Sequence, residues 1–350
     1  MNLAAWIRSK DALLEESDFL ALDALSLAWT TYFDYSGVTF PISTKALALR
    51  RFAHELTKRN QTFVPQKTCD FMDAFLHSPR YQNVVFLEEK EVRGEGGAQF
   101  FAFLFHIGGR FVIAFEGTDT SSLGWKEDFM LTYCEGIPSY PHALAYVKDV
   151  MSRYEGEFIL VGHSKGGNVA SYVLSQLQDD SRILKVYSFE GPGFYRKDLF
   201  DGKAERLSKV EKYVPQTAMV GVVLSPFAVP HIVRSHDLFV FQHNAIEWVI
   251  KGDSFVETKS RTLFSKGFER SMNAWISSLS NTEKERFTAI FFETFEKAGV
   301  KDFNDFFSHL FTAFPDLSKT YFGLSKEDRA FFRKTLGTFW KASAKSLFGY

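Results

Sequence analysis

Gly162-His163-Ser164-Lys165-Gly166 sets a serine between two glycines at the spacing of a nucleophile elbow. Four apolar residues, Phe158 to Val161, run straight into the first glycine, and a helical pattern begins after Ser164. The local order is strand, sharp turn, helix. A serine hydroxyl attacks a carbonyl only when it stands exposed on such a turn. A side chain two residues to either side would meet the neighbouring strand and helix, so glycine is needed there. The helix that follows, Lys165 to about Gln178, aims its first amides at the reacting carbonyl. The backbone N–H of Lys165 is the expected first oxyanion donor. Gly167 and Ala170 keep the helix thin where it approaches the sheet, and Asn168 is placed to tie the turn down.

A five-residue match is a weak signal alone; the strand before it and the helix after it supply the context. The second oxyanion donor in such a site comes from a loop after an earlier central strand. Phe111 to Phe115 is nearly continuous apolar and reads as a strand buried on both faces, ending in Glu116-Gly117-Thr118. Thr118 is placed to give a backbone N–H and a hydroxyl. Leu123 to Phe129 reads as a short lid or the start of a helix, with Trp125 and Phe129 on one face.

The partners of the serine follow it in the order acid, then histidine. His231, His236, His243 and His309 are the histidines after Ser164. His309 lies in a Phe-rich helical stretch and reads as structural, and His231 follows Pro230 in an irregular segment. Of His236 and His243, the second is preferred, because it sits in an aromatic-flanked loop after the last strand candidate. For the acid, Glu190 stands at the carboxyl end of the strand Leu184–Phe189, where α/β sites collect. Glu211 and Asp237 are the alternatives. His163 reads as a core residue with no special role. The chemistry expected of Ser164, His243 and Glu190 is acyl transfer from an apolar ester, with Lys165 and Thr118 as the oxyanion hole. It needs no metal or organic cofactor.

The elements that must hold these residues follow from periodicity. Helices are expected over 18–34, capped by Asp18, over 43–59, opened by Ser43, and over 68–77. Strands are expected over Asn83–Glu88, Gln99–Ile107 and Arg110–Phe115, the last two joined by a Gly108-Gly109 hairpin. After a helix over Pro141–Tyr154 come the elbow strand, the strand Leu184–Phe189, and candidates at Val210–Val214 and Met219–Leu224. This alternation predicts an α/β fold, a mostly parallel sheet with helices on both faces. Residues 1–255 read as that domain, helical over 1–80, and 256–350 as a Phe-rich helical region packed on it or capping it. There Trp275, Leu279, Phe287, Phe291, Phe295, Phe303, Phe307, Leu310 and Phe314 recur at helical spacing.

The 350 residues carry a net charge of −1 and are 45% hydrophobic and 24% charged, which is a soluble globular balance with no signature of nucleic-acid binding. The 39 phenylalanines are unusual, and read as core packing. Two cysteines, Cys69 and Cys134, fit a reducing compartment. No signal peptide or membrane span is apparent, so a cytoplasmic protein of bacterial style is expected. From Lys319 to Lys345, seven Lys or Arg stand against two acids, so the last helix has the pattern of a basic amphipathic contact with an anionic membrane, or of a solvated face.

Phe115-Glu116-Gly117-Thr118, then Trp125 and Asp128, then Gly162 to Asn168, then Phe189-Glu190-Gly191-Pro192-Gly193-Phe194 resemble an uncharacterised bacterial family related to the class 3 lipases. The acidic helix Glu15–Tyr35 and Gln242-His243 fit the same family, and the resemblance spans roughly residues 15–250. It implies an α/β-hydrolase fold and, by analogy, esterase or lipase chemistry on a small-molecule or lipid ester. Two departures stand out. Class 3 lipases carry Arg where this chain has Glu116. Their acid precedes a Val-Pro pair, where this chain has Lys212-Tyr213 before Val214-Pro215. The displaced acid is the motive for a second reading, a hydrolase fold kept as a binding or scaffold protein.

Overall fold

A computed structural model of the chain describes residues 1–51, 65–298 and 318–348. One sheet of eight strands organises it, and the strands lie in space in their chain order. They are β1 (Ile42–Ser43), β2 (Val85–Arg93), β3 (Gln99–Ile107), β4 (Arg110–Phe115), β5 (Glu157–His163), β6 (Ile183–Phe189), β7 (Val210–Pro215) and β8 (His231–Val233). β1 to β4 pair antiparallel, and β4 to β8 pair parallel. The β3–β4 turn is the expected two-residue hairpin, with Ile107 opposite Arg110 and both glycines at positive φ.

The period of two along the strands divides the core. Phe101, Phe103, Phe105, Val112, Ala114, Ile159 and Val161 face one layer, built from α1 (Leu3–Arg8), α2 (Ala21–Thr30), α3 (Thr44–Arg50) and α4 (Pro65–His77). Phe100, Ala102, Leu104, Ile113, Phe115, Phe158 and Leu160 face the other. Helices thus cover both faces of a mostly parallel sheet, as the sequence predicts. On the second face, α5 (Ser122–Met130) follows β4. α6 (Ser139–Arg153) and α7 (Lys165–Gln176) flank β5.

Several boundaries differ from expectation. α2 is opened by Asp23, whose Oδ2 accepts the Leu20 N–H at 2.8 Å, and not by Asp18. Asp18 instead gives its carbonyl to Arg80. Ser43 caps α3 as expected, accepting the Ala46 N–H at 3.2 Å, while residues 52–59 of that predicted helix lie outside the described residues. Met219–Leu224 is no strand but a series of turns. Its apolar run imitates a strand, yet two of its N–H groups are committed to a side chain instead of a ladder.

The C-terminal helices are α8 (Leu263–Ser277), α9 (Asn281–Lys297) and α10 (Lys326–Phe348). The aromatic side of α10 packs inside the protein: Phe332 stacks on Phe287 at 5.1 Å, and Phe339 meets Trp275 at 5.4 Å. Trp275 also donates its indole N–H to the Thr335 carbonyl at 3.0 Å. Trp340 alone among these α10 aromatics is strongly exposed. α9 leans on α5 through Phe129, whose ring meets those of Phe291 and Phe292, and through a 2.6 Å ion pair of Lys126 with Glu296. Phe303, Phe307, His309, Leu310 and Phe314 lie outside the described residues. Among the described residues, no helix is long and apolar enough to cross a membrane.

Candidate active site

The parallel strands end in register. Phe115 pairs with Gly162, His163 with Phe189, and Phe189 with Tyr213. The residues just past this line are Glu116 to Thr118, Ser164 and Glu190, so the sheet delivers all of them to one edge. Ser164 has φ 55° and ψ −129°, and Glu190 has φ 48°. A non-glycine residue holds such a conformation at a cost of about 1–3 kcal/mol, so the surroundings must enforce it. They do. A Cβ on Gly162 would lie 2.2 Å from the Gly166 carbonyl carbon, and one on Gly166 would lie 2.2 Å from the Phe115 oxygen. The elbow is closed on both sides, which is why both glycines are there.

Glu190 and His243, 53 residues apart, meet here: His243 Nδ1 lies 2.9 Å from Glu190 Oε2. The other carboxylate oxygen accepts the N–H groups of Met219, at 3.0 Å, and Val220, at 3.3 Å. The turns at 219–224 exist to hold this buried acid. An ionised carboxylate can only accept, so Nδ1 carries the imidazole proton and Nε2 is left as a base. Among the described residues, no hydrogen bond joins the Ser164 hydroxyl to His243. The alternatives are engaged elsewhere. Asp237 pairs with Lys67 at 2.7 Å, Glu211 with Lys185 at 2.6 Å, and His231 with Glu257 at 2.8 Å. His236 is exposed.

The family model described as Mbeg1-like matches residues 75–293, more than half of the chain. The chain belongs to the Mbeg1-like family. Solved structures similar to it include the following two. One is an MDLA mutant from Penicillium cyclopium, at TM-score 0.42 and 12% identity, covering 67% of this chain and 84% of that one. The other is the Lip2 lipase from Yarrowia lipolytica, at TM-score 0.39 and 15% identity, covering 71% of this chain and 91% of that one. No curated protein matches the sequence.

In this Mbeg1-like protein, His163 has a role that the sequence reading missed. Its Nε2 lies 2.9 Å from the His243 carbonyl oxygen, and its Nδ1 lies 2.8 Å from the Tyr32 hydroxyl. A carbonyl cannot donate, so Nε2 carries the proton and Nδ1 accepts from Tyr32. Burial holds the imidazole well below its ordinary pKa, and the nearby His243 pushes the same way. His163 is thus a neutral strut between α2 and the loop of His243. Its partners lie 131 and 80 residues away in the chain, and only its place beside Ser164 hinted at them.

Lys165 opens α7, and neither its N–H nor that of Thr118 has an acceptor among the described residues. Both are free for an oxyanion. The Thr118 hydroxyl donates to Asp128 Oδ2 at 2.6 Å, and burial pushes that carboxyl up to about 6. The Lys165 side chain turns inward. Its ammonium meets Glu127 Oε2 at 2.6 Å and the Gln99 carbonyl at 2.8 Å, and it also donates to the Gln99 side-chain oxygen. Glu127 further accepts the N–H and hydroxyl of Ser139, at 2.5 and 2.7 Å. α5 is therefore tied to the elbow helix by a buried ion pair, and its Asp128 holds the Thr118 hydroxyl. Asn168 fixes the opposite side, accepting from Tyr140 at 2.6 Å and donating to the Gly193 carbonyl at 2.9 Å.

Glu116 stands where the resemblance expects arginine, and the cation comes instead from β2. Arg93 lies 3.5 Å from Glu116 and is also paired with Asp119. It also pairs with Glu91, and one guanidinium cannot neutralise three carboxylates fully. Burial, then the charge of Asp119, push Glu116 up from 4.5 to about 8. Between those values the folded chain holds a proton that the unfolded chain releases, so stability falls as pH rises through that window and levels above it. Glu116→Gln is expected to flatten this slope in urea midpoints measured across pH; an unchanged slope would locate the proton elsewhere. Among the described residues, no group of three or more His, Cys, Asp or Glu is placed to hold a metal.

Proposed function

We propose that this protein is a serine hydrolase that cleaves an ester of an apolar acyl group through an acyl-enzyme. The observation that carries the reading is the 2.9 Å bond between His243 and Glu190, formed beside a serine held at φ 55°. His243 Nε2 takes the Ser164 proton as Oγ adds to the ester carbonyl. The amides of Lys165 and Thr118 receive the negative oxygen. Collapse expels the alcohol, which takes the proton from His243. Water, deprotonated by the same nitrogen, then frees the acid and restores the serine. The scaffold reading loses its motive, since an acid is present at Glu190, on the strand next to the usual one.

The test is labelling with a fluorophosphonate probe. Wild type is expected to label, and Ser164→Ala and His243→Ala are not. Folded wild type that stays unlabelled, with and without detergent micelles, would sink the proposal and return the scaffold reading.

His163 is a positioning residue in this scheme. His163→Ala should lower kcat by about 10–100-fold with KM unchanged, because a shift of the His243 loop of about 1 Å costs that much. His163→Gln keeps an N–H donor and should recover part of the loss. Equal losses in the two variants would argue against the strut.

A further inference from the structure

The loop that carries His243 ends in an exposed apolar tip. Leu238, Phe239, Val240 and Phe241 are consecutive, and are 69%, 60%, 51% and 56% exposed. The start of α8 extends the patch with Leu263, 85% exposed, and Phe264, whose ring meets that of Phe239 at 5.7 Å. Six large apolar side chains from two segments thus stand exposed on and beside the loop that carries the histidine. A contiguous exposed patch of this kind marks an interaction site, unlike apolar residues scattered singly over a surface.

Its base is rigid. Gln242 is buried, accepts the Thr217 N–H at 2.8 Å, and donates to the Asp237 carbonyl at 3.0 Å. Its own carbonyl takes the Trp248 indole N–H at 2.8 Å. The tip is a prop, held out from a fixed floor.

We infer that this tip inserts into a phospholipid bilayer surface and brings the active-site edge against it. Two observations favour a bilayer over a protein partner. Phe239–His243 is a short 3-10 segment entered through Phe239 at φ 49°, and all four residues of the tip are more than half exposed, so their side chains project to more than one side. A flat protein face covers one side of such a tip; a lipid interface closes around all of it. The charges nearby also fit. Asp237 and Glu247 share Lys67, while Arg234 and His236 are exposed beside the tip and have no ion-pair partner among the described residues. The Arg234 guanidinium suits anionic headgroups. Because the exposed apolar side chains lie on the histidine loop and at the start of α8, the lipid-facing element is that loop and not the helix after the oxyanion turn. The biological sense of this docking rests on the proposed hydrolase reading, since it would present lipid esters to Ser164; the binding itself does not.

The experiment is flotation of the full chain with phosphatidylcholine vesicles, with and without phosphatidylglycerol. It compares Ser164→Ala protein with the same protein carrying Val240→Asp and Phe241→Asp. Trp340→Asp on α10 serves as the control for the C-terminal helix. The Ser164→Ala protein should float, more so with phosphatidylglycerol. The tip variant should partition roughly tenfold less or worse, because two buried apolar side chains are replaced by charge. Trp340→Asp should float unchanged, and an unaltered Tm shows that the tip variant is folded. Protein that stays unbound on both vesicles, or a tip variant that floats like its parent, overturns the inference. So does loss of binding in Trp340→Asp alone, or capture of the tip by a protein and not by vesicles. Vesicle binding by a protein that no fluorophosphonate labels would remove the hydrolase reading and leave the docking face; labelled protein that ignores vesicles would do the reverse.

Discussion

Glu190→Gln is expected to lower kcat for a soluble short-chain ester by about 10⁴-fold, with KM little changed. The reason lies in the two sides of this carboxylate. One oxygen accepts the N–H groups of Met219 and Val220. In the amide, that place must be taken by the carbonyl oxygen, because an NH₂ there would face two donors. The NH₂ is then turned to His243 Nδ1, which can only accept from it. The imidazole proton is driven to Nε2, the nitrogen that must receive the serine proton. The substitution is nearly isosteric, so the fold should persist and the loss should fall on the chemical step. Ser164→Ala should cost more, on the order of 10⁶-fold, since it removes the nucleophile itself. A Glu190→Gln protein within about tenfold of wild type would remove Glu190 from the triad, whatever the geometry, as a loss of roughly 10⁴ is expected.

The second large effect is on stability. Lys165→Met should destabilise the protein by about 3–5 kcal/mol, because it leaves the Glu127 carboxylate buried without its cation. Both side chains are 1% exposed or less, so water cannot replace the missing partner. Lys165→Met combined with Glu127→Leu should recover only part of the loss: it removes the desolvated charge, but it also takes the acceptor from the buried Ser139 N–H. The check is a urea titration of the four members of that cycle, read as midpoint shifts at constant m. A single variant as stable as wild type would mean that the other ties of α5, its contacts with α9 and the bond from Thr118 to Asp128, suffice to hold it. The same variant also bears on the oxyanion hole, because α5 carries Asp128, the partner of Thr118.

How far the sequence alone could have led depends on the reach of each interaction. The elbow is local: glycine spacing, a preceding apolar run and a following helix lie within twenty residues, and all three signals agree. Glu190 was readable for a similar reason, since strand ends in a parallel sheet share one edge. The sequence preferred His243 to His236 and Glu190 to Glu211 and Asp237, but it could not show that Asp237 and Glu211 are held by lysines or that His236 is exposed. Those partners, Lys67 and Lys185, are far from them in the chain or look like ordinary surface charges. Met219–Leu224 misled because its apolar content is that of a strand, while its backbone serves a side chain. The inward turn of Lys165 had no signature at all. A lysine after a nucleophilic serine reads as exposed, and only the placement of Glu127 and Gln99 around it says otherwise. His163 belongs to the same class, a residue whose meaning is set entirely by distant partners.

Those distant partners set the timing of assembly. The Tyr32 hydroxyl waits for His163; Asn2 bonds Glu247 at 2.9 Å, and Trp6 bonds Asp253 at 3.1 Å. On a ribosome adding about 5–20 residues per second, roughly 250 residues take on the order of 10–50 s. Until β4, β5 and β6 have been made, Leu22, Leu25, Leu27 and Trp29, all buried in the finished protein, have no sheet to cover them, and α1 waits longer still for Glu247 and Asp253. The order of assembly runs against the order of synthesis: the helices made first are fastened last. The histidine at the serine is braced only once the two ends of this long loop have met.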